Sequence, residues 1–369
     1  MSDPRTPAHV NDRHPEKGSL KGRGTPLNPD NRFFSTRSTV ESDGWWQSPD
    51  PLPAQATTVV VQHSRSIISR NRSPDVPFEQ SINPYQGCEH GCIYCYARPS
   101  HAYLDLSPGL DFETRLFAKP NAAELLRAEL ARPGYQVSSI NIGANTDPYQ
   151  PIEREWRITR SLLEVMLDCR HPVTLITKNA LVLRDLDLLS ELAALRLVRV
   201  MVSVTTLDPA LSQIMEPRAS APHRRLRAIA GLRAGGVPVG VLMAPLIPFI
   251  NDAEIERLLQ AVAEAGADSA GYVLLRLPHE LRELFTDWLQ AHFPLRAERV
   301  LQILRESRGG RENDPRFGHR MRGQGVYADL LAQRFRRARQ QWGLSGERDG
   351  LRADLFRPPR PDGQLGLFD

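Results

Sequence analysis

Six short runs of apolar and β-branched residues recur along this chain, with amphipathic stretches of helical period between them. The runs are Ser81 to Tyr85, Ser139 to Ile142, Val173 to Thr177, Val198 to Val204, Val237 to Met243 and Tyr272 to Leu275. Each is short and nearly continuous in apolar character, as strands buried on both faces are. The helical stretches are Ala122 to Leu130, Ile158 to Cys169, Leu181 to Leu195, Pro222 to Ala234 and Ala253 to Ala265. In the second of these, Ile158, Leu162, Val165, Met166 and Cys169 share one stripe, which makes Cys169 a buried, inert thiol. Gly235-Gly236 and Gly266 supply helix stops. Strand-then-helix repetition predicts a parallel α/β architecture, and six units predict a partial (β/α)6 barrel in place of an eight-fold one. In such folds chemistry gathers at the C-terminal ends of the strands.

The chain ends read differently. Residues 1–60 are rich in Pro, Ser, Asp, Arg and Gly and predict a largely irregular extension, with Phe33-Phe34 and Trp45-Trp46 as aromatic points that pin it to the body. The barrel is expected over 61–295, a basic helical segment over 296–343, and a Pro- and Gly-rich flexible tail over 344–369. At 41% hydrophobic residues the chain can bury a large core, and a net charge of +4 rules out a polycation. Charge is uneven, however. Between Arg296 and Trp342 stand 12 arginines and 5 acids, enough for a basic surface facing a polyanion. Met1 to Leu20 lacks the apolar core of a secretory signal, and no apolar run approaches the roughly 18–20 residues of a membrane span. A cytoplasmic location in a reducing compartment is expected, without membrane attachment.

Three of the 4 cysteines stand within eight positions, in the stretch PYQGCEHGCIYCYARPSH from Pro84 to His101. Cys88, Cys92 and Cys95 follow the first strand directly, spaced C-x3-C-x2-C. In a reducing compartment, clustered thiols suggest a metal or catalysis more than a disulfide. Thiolates favour zinc or iron–sulfur clusters. Three leave one position open, which a reactive centre requires. A zinc site of three Cys and one His, with His90 or His101 as fourth ligand, satisfies the same spacing, and with it a non-catalytic, zinc-stabilised nucleic-acid-binding protein.

The motif, with Tyr94 just before its last cysteine, its place after the first strand and the five further strand–helix units resemble the radical S-adenosylmethionine superfamily over about residues 80–300. That resemblance implies a [4Fe-4S] cluster on Cys88, Cys92 and Cys95, with S-adenosylmethionine on the open iron. Reductive cleavage then gives a 5′-deoxyadenosyl radical that abstracts hydrogen from substrate. An electron donor such as flavodoxin or ferredoxin is implied as a partner. Carried over by position, Tyr94 lies against the adenine. Asn145, Thr146 and Asp147 stand where the family has Gly-Gly-Glu for the cofactor amino group, a departure from its pattern. Ser203, Thr205 and Thr206 offer hydroxyls for ribose or carboxylate, and Arg218, after Glu216, offers a fork for a carboxylate. Lys178 and Arg276, at the ends of the third and sixth strands, are candidates for an anionic substrate.

Within the superfamily, Ser81 to Pro99 together with Asn145-Thr146-Asp147-Pro148-Tyr149-Gln150-Pro151 most resembles the spore-photoproduct-lyase-like group, described as DNA repair photolyase-like. The resemblance implies a lyase-like enzyme acting on nucleic acid, DNA by preference, with RNA or protein modification as the alternative. The lyase uses a further cysteine as hydrogen donor. This chain has none between Cys95 and Cys169, which leaves Tyr96, Tyr103 and Tyr149 as phenols to donate instead. The terminal Gln364-Leu365-Gly366-Leu367-Phe368 resembles the short peptide with which bacterial repair proteins dock on the DNA sliding clamp.

Overall fold

The computed structural model describes residues 22–34, 56–311, 313–346 and 350–359. Trp45-Trp46 and the expected clamp peptide Gln364–Phe368 lie outside the described residues. The strands in chain order are β1 (Thr58–Val61), β2 (Ser69–Arg70), β3 (Gln80–Ile82), β4 (Tyr85–Gln86), β5 (Arg115–Ala118), β6 (Ile140–Ile142), β7 (Val173–Thr177), β8 (Val198–Ser203), β9 (Val239–Leu246) and β10 (Ser269–Leu274). Seven of them form one sheet in the order β10-β9-β8-β7-β6-β3-β2. From β3 to β10 every neighbour is parallel, whereas the edge strand β2 runs antiparallel to β3. Six parallel strands in sequential order, with the sheet unclosed between β10 and β2, make the expected partial (β/α)6 barrel.

The sequence pattern explains the elements. Val173, Leu175, Val198, Val200 and Val202 are buried on the strands, and Ile158, Leu162, Val165, Met166 and Cys169 are buried along the predicted stripe. Each such aliphatic side chain contributes about 1.5–3 kcal/mol when fully removed from water. The glycine stops hold. At Gly236 (φ +75°) and Gly266 (φ +101°) the chain turns left-handed. There Val237 N–H donates to the Leu232 carbonyl at 2.9 Å, and Ala267 N–H to that of Val262 at 3.0 Å.

Three boundaries differ from expectation. The first run breaks after Ile82, because Pro84 has no N–H to continue the ladder. Tyr85-Gln86 turns away and pairs with β5 in a second, three-stranded sheet, β1-β5-β4. Its strand β1 begins at Thr58, inside the expected extension. The helix expected from Leu181 to Leu195 opens as a 3-10 turn over Ala180–Asp185, capped where the Asn179 side chain accepts from Leu181 N–H at 3.0 Å. Part of the expected flexible tail is packed: Phe356 sets its ring 5.4 Å from His171 and 5.6 Å from Tyr135, and Arg357 N–H donates to the Cys169 carbonyl at 2.8 Å.

The basic segment contains two helices, Pro294–Glu306 and Val326–Gln341. Several of its cations are neutralised: Arg334 pairs with Glu256, Arg316 with Asp314 and Arg320 with Asp75. Among the described residues no helix is long and apolar enough to cross a membrane.

Candidate active site

The residues singled out by the sequence come from the C-terminal ends of β3, β6, β7, β8 and β10, so the topology gathers them at one end of the sheet. The cysteine loop leaves β3 and is held by a buried scaffold. Arg98 is fully buried. Its Nε donates to the Cys92 carbonyl at 2.8 Å, its Nη2 to that of Gly91 at 3.2 Å, and its Nη1 to that of Gly109 at 2.9 Å. It also forms an ion pair with the fully buried Glu113. Gln150 braces the loop around Cys88, accepting from Glu89 N–H at 3.0 Å and donating to the Gly87 carbonyl at 3.1 Å. Residues 22–34 close over this side. Gly24 N–H donates to Glu113 Oε2 at 2.9 Å, and Arg23 Nη1 to the Glu113 carbonyl at 3.0 Å. These are polar anchors, whereas the expected aromatic pins Phe33 and Phe34 remain 52% and 41% exposed.

Glycine is required inside the loop. A Cβ on Gly91 (φ +66°) would stand 2.7 Å from Glu113 Oε2, and one on Gly87 (φ +74°) 2.7 Å from Leu116 Cδ2. Cys88 and Cys92 are buried and Cys95 is half-buried. The three thiols lie within electrostatic reach of one another. Burial is the main force pushing the Cys88 and Cys92 thiols well above their ordinary range, with neighbouring negative charge adding to it. A thiolate forms there only beside a strong cation, which is what a metal centre supplies. The donor set, the glycine cradle and the half-open position of Cys95 fit a cluster held by three thiolates.

The fourth ligand of a zinc site is not found. His90 Nδ1 faces Asp147 Oδ2 at 3.4 Å, and its Nε2 faces the Asn179 amide at 3.3 Å. A ring nitrogen of His101 donates to the Arg115 carbonyl at 3.0 Å, and the ring packs edge-on against Phe112. Among the described residues no three His, Cys, Asp or Glu side chains are grouped as a metal-ion cage.

The remaining candidates divide by what their polar atoms already bind. Tyr94 is buried, and its hydroxyl donates to Glu216. The Thr205 hydroxyl, expected to face ribose or carboxylate, donates to the same Glu216 at 2.9 Å and is fully buried. Glu216 is also ion-paired with buried Arg225, whose Nη1 donates to the Ser203 carbonyl at 3.0 Å. The Thr206 hydroxyl donates to Glu254 at 2.6 Å. Thr146 donates to the Tyr85 carbonyl at 2.9 Å.

Asp147 accepts from Tyr149 N–H at 2.9 Å, forming an Asx turn over Pro148. It accepts further from the Thr177 hydroxyl and the Lys178 N–H, both at 2.7 Å. Burial alone would raise its pKa, but His90 and these donors hold it at about 2. A free carboxylate awaiting a cofactor ammonium is therefore not what the fold presents at Asp147. Asn145 stays half-buried, donating to Ser100 Oγ at 3.2 Å. Arg218 reaches Glu89 at 3.3 Å and keeps a side chain 37% exposed. Lys178 stands 5.8 Å from the centre of the Tyr94 ring.

Of the three phenols, Tyr149 is fully buried, whereas Tyr96 and Tyr103 are 54% and 74% exposed. The sequence reading missed Arg98, Glu113, Gln150 and Arg225. None lies on a periodic stripe or in a spaced motif, so only their burial together reveals them.

A model of the Radical SAM superfamily matches residues 82–262. An uncharacterized protein of Mycobacterium tuberculosis is 36% identical over 232 residues, covering 62% of this chain and 68% of that one. An uncharacterized protein of Methanocaldococcus jannaschii is 28% identical over 173 residues, covering 47% of this chain and 62% of its own length. Among solved structures, a spore photoproduct lyase variant superposes with a TM-score of 0.56 at 16% identity, covering 78% of this chain and 80% of its own. Spore photoproduct lyase complexed with dinucleoside spore photoproduct gives 0.55 at 16% identity, covering 77% and 79%. Those two share the fold. Strand order, the cysteine loop after the first parallel strand and the matched region agree, and the chain is an enzyme that belongs to the Radical SAM superfamily.

Proposed function

We propose that Cys88, Cys92 and Cys95 hold a [4Fe-4S] cluster, and that the enzyme applies S-adenosylmethionine chemistry to nucleic acid, DNA by preference, in a repair or modification role. When bound, the cluster supplies the electron for reductive cleavage of S-adenosylmethionine and hence hydrogen abstraction. The chain's own residues do the holding. Arg98, Glu113 and Gln150 fix the loop backbone, and the buried Glu216–Arg225 pair fixes the Tyr94 ring. That ring is the surface offered to an adenine, with Asn145 and Arg218 the polar groups still within reach of solvent. Thr146, Asp147, Ser203 and Thr205 serve by positioning, since Thr146, Asp147 and Thr205 spend their polar atoms within the protein and Ser203 gives its carbonyl to Arg225. The enzyme works in the cytoplasm with a small electron-carrier protein as donor. The barrel over 61–295 carries the chemistry, and the helical segment over 296–343 adds cations beside it.

The observation that carries the substrate class is the rim next to the cysteine loop. The Arg32 guanidinium sits 4.5 Å from the Phe33 ring centre and 5.2 Å from that of Tyr103, and both rings are exposed. Exposed aromatic faces interleaved with a cation form a stacking platform for unpaired bases, sequence-tolerant because every base has a π-face. The similar fold of a lyase solved with a dinucleoside lesion supports the same class. The terminal peptide Gln364–Phe368 would add docking on a sliding clamp, which loss of clamp binding in Phe368→Ala would check.

The test is 5′-deoxyadenosine formation by anaerobically purified, reduced protein given S-adenosylmethionine, with and without ultraviolet-irradiated DNA, RNA or peptide. Wild-type product absent from Cys95→Ala, and stimulated by irradiated DNA, is the expected result. Stimulation by RNA or peptide alone would move the substrate to that class. Stoichiometric zinc without iron would refute the cluster.

A further inference from the structure

Three arginines crowd the end of β10, and they are not alike. Arg320 pairs with Asp75, which also accepts from Gly318 N–H at 2.7 Å. Arg308 is fully buried and spends its donors on the carbonyls of Arg320, Leu274 and Leu275. Arg276, immediately beyond β10, has neither solution. Its Nε is buried without a hydrogen-bond partner, and its Nη1 meets the Met321 sulfur at 3.8 Å. Among the described residues no carboxylate forms an ion pair with it. Burial and the like charge of Arg320 both act against its cationic form, and the nearest acid, Asp75, is already committed. Arg276 also lies within electrostatic reach of the Tyr96 hydroxyl, one residue beyond Cys95. A buried guanidinium with an unmet donor is costly. It persists where an anion arrives from outside, and a planar fork suits a phosphate.

We propose that Arg276 is a substrate-binding residue that receives a backbone phosphate of the nucleic acid, placing the strand beside Tyr96 and the cysteine loop. This rests on the nucleic-acid reading above, and the experiment separates the two.

Binding of a short fluorescein-labelled single-stranded oligodeoxynucleotide to the cluster-loaded protein is followed by anisotropy across a salt series. The proteins are the wild type, Arg276→Gln, Arg276→Lys and Arg127→Gln, the last a control at an exposed ion pair on an outer helix. Arg276→Gln is expected to bind about tenfold more weakly. Its log–log salt slope should be shallower by about 0.7, one phosphate contact on a single strand. Arg276→Lys should keep the slope and lose part of the affinity, and Arg127→Gln should match the wild type. Because no protein group loses its partner, Arg276→Gln should melt no lower than the wild type. A clear drop would make Arg276 structural and overturn the proposal.

Pyrophosphate and S-adenosylmethionine binding by calorimetry complete the test. Wild-type oligonucleotide binding with an unchanged slope in Arg276→Gln overturns the role of Arg276 and leaves the nucleic-acid reading standing. Pyrophosphate binding that depends on Arg276, with no oligonucleotide binding, keeps an anion site and overturns nucleic acid as its source. Weakened S-adenosylmethionine binding in Arg276→Gln assigns the anion to the cofactor carboxylate and overturns the substrate role.

Discussion

Arg98 and Arg276 stand at the same end of the sheet and are built in opposite ways. Arg98 is fully buried, yet Glu113 and the carbonyls of Gly91, Cys92, Pro108 and Gly109 consume its donors. Arg276 is only partly buried, yet its Nε has no partner. Saturated charge makes a rigid cradle, because any motion of the loop would strand a desolvated group. Unsaturated charge adds nothing to the cradle and marks where a ligand completes the site. The same division runs through the sequence-selected residues: Asp147, Thr205 and Tyr94 are saturated, and Arg218 and Asn145 are partly open.

The sharpest way to break this comparison is Arg98→Ala, which leaves Glu113 buried without its cation. A loss of about 3–5 kcal/mol of unfolding free energy in urea is expected, against almost none for Arg276→Gln. Equal losses would erase the distinction.

A pH profile sharpens it next. His171 is fully buried, and burial lowers its pKa from 6.5 to about 4, the Pro172 carbonyl opposing the shift. The unfolded chain therefore binds the proton more readily. The stability due to neutral burial is complete above pH 6.5 and is lost as pH falls toward 4, by up to about 3 kcal/mol. His101, likewise lowered to about 4 by burial, adds to the same window. His171→Gln should flatten the decline in urea midpoint between neutral and mildly acid pH, and an unaltered slope would contradict the assignment.

Gly91→Ala tests the cradle itself. The residue must adopt φ +66° and place its Cβ 2.7 Å from Glu113 Oε2. A cost of about 1–3 kcal/mol follows from backbone strain alone, and iron content should fall with it. Full iron loading would show that the loop has slack. The smallest effect belongs to Arg334→Gln, which removes a partly exposed pair with Glu256. Less than about 1 kcal/mol is expected in a thermal melt.

The architecture was legible because it is written in local periodicity. The strand Val173–Thr177 and the helices Ala122–Leu130 and Pro222–Ala234 fall where the pattern puts them. Gly236 and Gly266 end their helices for the reason their residue type predicts. The cysteine spacing was equally plain, since three thiols on a short loop need no tertiary contact to be recognised as one donor set. Roles were less legible. Thr205 looked free because a hydroxyl at a strand end reads the same whether or not a buried glutamate waits 11 residues on. Asp147 looked like a ligand-binding carboxylate because nothing local announces the Thr177 and Lys178 donors on the next strand. The packed segment 350–359 was hidden by its Pro-rich composition.

By itself, the sequence determined the parallel strand–helix repeat, the thiol triad and its place after the first strand, because each depends on neighbours in the chain. Tertiary structure alone decided which polar groups are spent and which remain open. Arg98 meets Glu113 across 15 residues, Tyr94 meets Glu216 across 122, and Gly24 meets Glu113 across 89. The partner of a buried charge is set by which strands and loops converge, and convergence is a property of the folded chain.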